Sequence, residues 1–396
     1  MTKLTLNDLS LCNQRVLMRV DFNVPFNDDG SIADDSRIRA ALPSIHYIQE
    51  QGPSLLILMS HLGRPKGKAN PKESLAPCAK RLSELLQKPV TMAPDCVGSA
   101  VETLAARIPK GGILMLENLR FHRGEEDPQN ELSFVDSLAK LGDVYVNDAF
   151  GTAHRAHAST ALIASHFPEK AAMGFLVEKE LAYLDPLLHN PKRPYHAIIG
   201  GAKVSSKAGV LKHLLKKIDA LYIGGAMAFP FLKAKSISIG NSLCDESDLP
   251  LALEILAEAE KRSLPLHLPV DTVASREGEK PTLFLNDIPD GWAGMDIGPK
   301  TIESWKKFLT HASTVFWNGP VGVFEKPPFD RGTADLAQFL AHDTKATVVV
   351  GGGDSVAAIQ LLGLADQFAH LSTGGGASLE FLEFGHLPGI DALTDK

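Results

Sequence analysis

Short runs rich in valine, isoleucine and leucine recur along the whole chain, each followed by a longer stretch of helical period. This alternation limits the possible folds more than any other feature. A run apolar at every position suits a strand covered on both faces, and the stretch after it suits the helix that carries the chain to a parallel neighbour. In the first half the runs predict strands at Arg15–Val20, Leu55–Met59, Val90–Met92, Ile113–Leu116 and Val144–Val146. In the second half they predict strands at His196–Ile199, Ala220–Ile223, Leu266–Val270, Thr314–Trp317, Thr347–Val350 and Phe368–Leu371. At 396 residues the chain exceeds what one core usually organises. The expected fold is therefore α/β, with two doubly wound parallel-sheet (Rossmann-like) lobes and a cleft between them. Glu178–Leu188 reads as a helix and His189–Pro194 as the turn after it, so the join is expected there as a helix hinge.

A net charge of −7 is the wrong sign for non-specific nucleic-acid binding, so any positive site has to be local. The four cysteines, Cys12, Cys78, Cys96 and Cys244, include no Cys-x-x-Cys pair, which suggests neither a disulfide framework nor a zinc site. Reduced thiols in a cytoplasm fit best. Lys3 is followed by polar and acidic residues where a signal peptide would continue apolar, and no run reaches bilayer length. A soluble, untargeted protein without membrane or nucleic-acid partners is expected.

Ligands of open parallel sheets bind beyond the carboxyl ends of the strands. In the first half those ends carry Asp21 and Asn23, His61 and Arg64, Arg120, and the stretch Asn147–Arg155 with His154 and Arg155. Arg37 opens the next helix near the same edge. Guanidinium forks match phosphate and carboxylate oxygens, so the cluster suits a small polyanion, although each arginine alone reads equally as a surface ion pair. His154 and His157 lack a third ligand at zinc spacing and read as scaffold or hydrogen-bonding histidines.

The second half places glycines at its strand ends: Gly200-Gly201 before Lys203 and Lys207, Gly224-Gly225, Gly351-Gly352-Gly353 before Asp354 and Ser355, and Gly374-Gly375-Gly376. Backbone amides there can approach phosphates closely, and a following helix presents its positive end. A nucleotide site is expected. Lys203 and Lys207, one helical turn apart, can neutralise phosphate charge together. Asp354 reads either as a helix cap or as a Mg2+ ligand, Asn318 as a turn residue or a ligand contact, and Glu325 as a surface charge or a ligand contact. Neither a P-loop nor a clean Gly-x-Gly-x-x-Gly fingerprint is present.

Taken in order, Arg19-Val-Asp-Phe-Asn-Val-Pro25, Ser60-His-Leu-Gly-Arg-Pro65, Glu117-Asn-Leu-Arg-Phe121, Asn147–His157, Gly200-Gly-Ala-Lys-Val204, Trp317–Glu325, Gly351-Gly-Gly-Asp354 and Ser372–Ser378 resemble the phosphoglycerate kinase family nearly end to end. The resemblance implies a glycolytic phosphotransferase acting between 1,3-bisphosphoglycerate and ADP. It implies that Asp21, Asn23, Arg37, His61, Arg64, Arg120 and Arg155 bind 3-phosphoglycerate. It also implies that Gly201, Lys207, Gly224, Gly225, Asn318, Glu325, Gly352, Gly353, Asp354 and Ser355 bind ATP or ADP, with Asp354 holding Mg2+.

Arg37, Lys203 and Gly375 take the transfer roles in this reading. The C-terminal residues look like the segment that returns to the first lobe in this family. The domains implied are 1–172 plus 386–396 for 3-phosphoglycerate, 173–189 as hinge and 190–385 for the nucleotide, in a monomer. Ser355 replaces the frequent threonine but keeps the hydroxyl, and Phe229-Pro230 stands where Asn-Thr or Tyr-Thr is usual.

In-line transfer after hinge closure follows, with Arg37 and Lys203 clamping the migrating group from opposite sides. A nicotinamide-dependent dehydrogenase would share the lobes but should show the dinucleotide fingerprint, and here the first strand leads into Asp-Phe-Asn-Val-Pro. A non-catalytic metabolite-binding protein would carry a phosphate site on one lobe only.

Overall fold

The computed structural model describes residues 2–396. The chain divides into two compact units: the first runs to Ala182 and includes His386–Lys396, and the second is Tyr183–Gly385. The boundary falls inside a helix, Phe175–His189. Among the described residues, no helix is long and apolar enough to cross a membrane.

The first unit is built on strands β1 (Arg15–Arg19), β2 (Leu55–Met59), β3 (Val90–Met92), β4 (Gly112–Met115), β5 (Val144–Asn147) and β6 (Ala171–Met173), ordered β3-β4-β2-β1-β5-β6. All neighbours run parallel. Every residue of β2 is buried, as expected of an inner strand covered by helices on both faces. The order reverses between β1 and β5, which leaves a crevice beyond their carboxyl ends.

The second unit holds β7 (Tyr195–Ile199), β8 (Ala220–Ile223), β9 (Leu266–His267), β10 (Asp271–Ser275), β11 (Thr282–Leu285), β12 (Ala293–Ile297), β13 (Thr314–Asn318), β14 (Thr347–Gly351) and β15 (His370–Leu371). Six of these form a parallel sheet ordered β15-β14-β13-β7-β8-β9, whose order reverses between β7 and β13. Trp305 and Trp317 sit fully buried in its core.

The expected pair of parallel-sheet α/β lobes is observed, and most strand ends agree within a residue. Four features differ. The run Leu266–Val270 forms ladder only at Leu266 and His267, because Pro269 has no N–H to donate. The strand expected at Phe368–Leu371 is reduced to His370–Leu371, since Ala365–Gln367 forms a 3-10 turn just before it. A separate antiparallel sheet, β11-β10-β12, follows β9, and β6 adds an edge strand of small residues to the first sheet.

The Phe175–His189 helix starts on a buried carboxylate. Asp148 Oδ1, just past β5, accepts from the Leu176 amide at 2.8 Å. Burial pushes this carboxyl up to about 6, above the 3.8 of the unfolded chain. The folded state therefore holds the proton to higher pH than the unfolded state does. Rising pH between about 4 and about 6 accordingly removes stability through this group. Asp148→Asn keeps an acceptor but cannot ionise. Urea midpoints across that range should show the variant gaining on the native chain as pH rises, by about 3 kcal/mol in total.

Candidate active site

In the first unit the carboxyl ends of β1, β2, β4 and β5 bring together the residues singled out from the sequence. Arg37, in the first turn of the helix Ser36–Glu50, donates from Nη1 to Asp21 Oδ2 at 2.8 Å. Asn23 Oδ1 accepts the Gly63 amide at 2.9 Å. Arg120 donates to the Gly63 carbonyl at 2.8 Å and pairs with Glu126 at 3.2 Å. Arg155 is half-buried on the loop after β5, whereas Arg64 is exposed at the rim.

Arg19, the first residue of the motif Arg19–Pro25, organises the floor of this basin. It is 1% exposed, and from the end of β1 its guanidinium reaches Ser159 Oγ at 2.9 Å, His61 Nδ1 at 3.1 Å and the Val20 carbonyl. Ser159 Oγ in turn donates to the fully buried Glu125 at 2.7 Å. An arginine closing an otherwise apolar strand was the signal available in the sequence.

The electrostatics follow from this packing. Burial, reinforced by the field of Arg19, Arg120 and Arg37, holds His61 well below the ordinary histidine range. Burial and the fields of Arg120, Arg155 and Arg19 push His157 down to about 3. Both rings are neutral at pH 7. The guanidiniums of the basin therefore sit beside two neutral, hydrogen-bonding imidazoles, those of His61 and His157.

In the second unit the crevice between β7 and β13 opens into two adjoining cavities. One, of about 370 Å³, is lined by Gly201, Lys203, Lys207, Asn318, Gly352, Gly353, Asp354, Ser355, Gly375 and Gly376, among others. The other, of about 480 Å³ and mostly apolar, has Gly225, Phe229, Leu243, Thr272, Met295, Val321 and Glu325 in its wall. Gly201, Ala202, Pro320 and Asp354 border both. Asn241 and the walls from β10 and β12 were missed by the sequence reading, because that sheet is half-exposed and its short strands carry no run of buried apolar residues.

Lys203 and Lys207 border the same cavity but not as successive turns of one helix. Val204 and Ser205 present their amides to the buried Asp248, both at 3.0 Å, and this fixes a 3-10 turn at Ser205–Lys207. Lys203 lies ahead of the turn, exposed, with Nζ 3.4 Å from Asp245. Lys207 turns inward to the carbonyls of Gly200 at 2.6 Å and Asn318 at 3.1 Å. Burial pushes Lys207 down to about 8, against the pull of Asp354. Asn318 Nδ2 is a buried donor without a partner, and Asp354 is the only carboxylate among the described residues lining the smaller cavity.

The glycines serve two different purposes. A Cβ on Gly200 would lie 2.2 Å from the Pro320 carbonyl oxygen, and one on Gly224 would meet Val321, so these positions are set by close packing within the fold. Gly224 thus stands behind the cavity wall, and Gly225 forms it. A Cβ on Gly353, Gly375 or Gly376 would meet nothing within 4 Å, leaving open space on the cavity side. Ser355 is buried, and its hydroxyl accepts the Gly319 amide at 2.6 Å.

An arginine-lined basin thus lies at one switch point, and an apolar cavity joined to a glycine-rich one lies at the other. A family profile described as phosphoglycerate kinase covers residues 6–385. The chain belongs to the phosphoglycerate kinase family. It is 53% identical over 401 residues to the phosphoglycerate kinase of Chlorobaculum tepidum, and 52% identical over 403 residues to that of Chloroflexus aurantiacus, covering all of each chain. The solved phosphoglycerate kinase structures from Coxiella burnetii and Pyrococcus horikoshii superpose with a TM-score of 0.87, at 40% and 32% identity and 98% coverage of both chains. As a phosphoglycerate kinase family member it is a glycolytic phosphotransferase with a carboxyl acceptor and a nucleotide substrate.

Two alanine substitutions separate packing glycines from cavity glycines. Gly200→Ala should destabilise the fold by about 1–3 kcal/mol through overpacking. Gly353→Ala should change stability by less than about 0.5 kcal/mol while weakening nucleotide binding. Thermal unfolding and ADP titration of both variants check the contrast.

Proposed function

We propose that the chain catalyses reversible, magnesium-dependent transfer of a phosphoryl group between 1,3-bisphosphoglycerate and ADP, giving 3-phosphoglycerate and ATP, as a cytoplasmic monomer. The observation that carries this reading is the division of labour between the two switch points. The guanidinium basin of the first unit suits a small acid phosphate. The apolar cavity of the second suits a base, and the glycine-rich one suits the phosphates attached to it.

In the ATP-forming direction the β-phosphate oxygen of ADP attacks the acyl phosphorus, and the bond to the carboxyl oxygen breaks. In reverse, the carboxylate of 3-phosphoglycerate attacks the γ-phosphorus of ATP. That carboxylate is already ionised, so no general base is needed, in keeping with histidines held neutral. Asp21, Asn23, His61, Arg64, Arg120 and Arg155 orient the acid and its non-transferred phosphate. Gly201, Lys207, Gly225, Asn318, Glu325, Gly352, Gly353 and Ser355 hold the nucleotide or shape its cavities.

The charge of the migrating group needs donors on both sides. Arg37 and Lys203 are proposed to supply them, with the Gly375 amide. Lys203 is free to do so, because an exposed pair such as Lys203–Asp245 contributes little and is readily exchanged. The donor set fits magnesium, since Asp354 offers one carboxylate beside the phosphate cavity and this ion takes one or two together with phosphate oxygens and water. When bound it would neutralise developing phosphate charge. Residues 1–172 with 386–396 and residues 190–385 act as the two substrate domains, and bending in the segment 173–189 closes them and excludes water.

A coupled assay with 3-phosphoglycerate and ATP tests the activity. Lys203→Ala and Arg37→Ala should each lower turnover by about 100-fold or more with the fold intact. Near-native turnover in either variant would remove that residue from the transfer role. A second expectation concerns Lys207: bound phosphate favours its charged form, so nucleotide affinity should fall as pH rises through about 8. Calorimetric titrations of ADP at about pH 8.5, in buffers of different ionisation enthalpy, should show proton uptake on binding.

A further inference from the structure

Away from both crevices, three metal-ligating side chains converge in the first unit. Asp95 and Cys96 lie on the loop after β3, and His122 directly follows the 3-10 turn Leu119–Phe121. One ligand atom from each lies within 4.8 Å of the others. His122 Nε2 is 2.6 Å from Asp95 Oδ1, and the Cys96 thiol donates to the Glu117 carbonyl at 2.9 Å. With 25 residues between the cysteine and the histidine, no zinc-type spacing is visible in the sequence.

We propose that Asp95, Cys96 and His122 form a binding site for a divalent transition metal of the zinc class. One sulfur, one imidazole nitrogen and one carboxylate oxygen make a borderline-soft set, which selects zinc or cobalt over magnesium or calcium. Metal–ligand bonds of about 2.0–2.3 Å in a tetrahedron place ligand atoms about 3.3–3.8 Å apart. The three ligand atoms already lie within 4.8 Å of one another, so shifts of no more than about 1.5 Å bring them to that range. The 2.6 Å Asp95–His122 contact has to open by less than about 1 Å; Asp95 Oδ1 also accepts the Cys96 amide at 2.7 Å, and the side chain, 48% exposed, has room to turn about that bond.

The surroundings favour a cation. The His122 ring is held in place by stacking on Phe134 at 4.9 Å. Asp95, Glu125 and Glu117 all bring negative charge to the thiol. Glu117 is not itself a candidate ligand, since its carboxylate is taken by Ser74 Oγ at 2.7 Å and by the Leu75 and Asn118 amides at 2.9 and 2.8 Å. Water completes the fourth position from the exposed side. On binding, the Cys96 S–H bond breaks, its proton leaves to solvent and the sulfur pair bonds the metal. No electron is transferred.

Cobalt(II) added to the full chain, free of magnesium and chelators, provides the test. One equivalent should bind with tetrahedral visible bands and a thiolate charge-transfer band, both lost on adding zinc. Calorimetry of zinc binding in different buffers should show about one proton released per ion. Cys96→Ser should abolish the charge-transfer band and Cys12→Ser should leave it unchanged. Asp95→Asn and His122→Asn, on the exposed side, should each weaken binding by at least the roughly 10–100-fold that even outer-sphere partners are worth. These two decide the matter if Cys96→Ser does not fold. Absence of stoichiometric binding, a band that survives Cys96→Ser, or affinity unchanged in both exposed-side variants would overturn the site.

Discussion

Concentrating positive charge at one sheet edge is the constraint from which the rest of the first unit follows. Arg19, Arg37, Arg120 and Arg155 repel one another, and Arg19 is almost wholly removed from water. A buried guanidinium is tolerable only when its donors are used and counter-charge lies close. Ser159 and Glu125 supply this below, Asp21 pairs with Arg37, and Glu126 pairs with Arg120. Three carboxylates against four guanidiniums leave positive charge in excess. Neutral histidines between them add hydrogen bonds without adding repulsion, and the excess charge is what an anionic ligand, as proposed, would balance.

The second unit lines its crevice with glycine backbone and two lysines in place of arginines. Its crevice is drawn tight by Gly200, Gly224 and Gly225, where side chains would collide with neighbouring backbone or Val321. Lys207 is tied to carbonyls at this tight point, so its charge faces the cavity from a fixed place. Glycines facing the cavity leave room for a ligand to approach the amides. The small antiparallel sheet, which belongs to neither parallel layer, contributes an apolar wall on which a base can lie.

Much of this was legible in the sequence, because parallel strands buried on both faces write themselves as unbroken apolar runs. Leu55–Met59 is the clearest case, and the residues just beyond such runs are where ligands bind. The antiparallel strands were not legible: Thr282–Leu285 alternates between half-buried and exposed, as one-sided packing requires, and makes no run. Among site residues, those with unusual chemistry at strand ends stood out. The residues that position them, Asp248 under the Lys203–Lys207 turn and Glu125 under Arg19, did not, since a buried acid reads like any surface acid until its partners are placed.

Each unit is proposed to carry one substrate site. Equilibrium binding of 3-phosphoglycerate and of ADP, each titrated alone into Arg120→Ala and Lys207→Ala proteins, tests it most directly. Arg120→Ala should lose affinity for 3-phosphoglycerate and keep that for ADP, and Lys207→Ala should do the reverse. Equal weakening of both ligands by either substitution would contradict it.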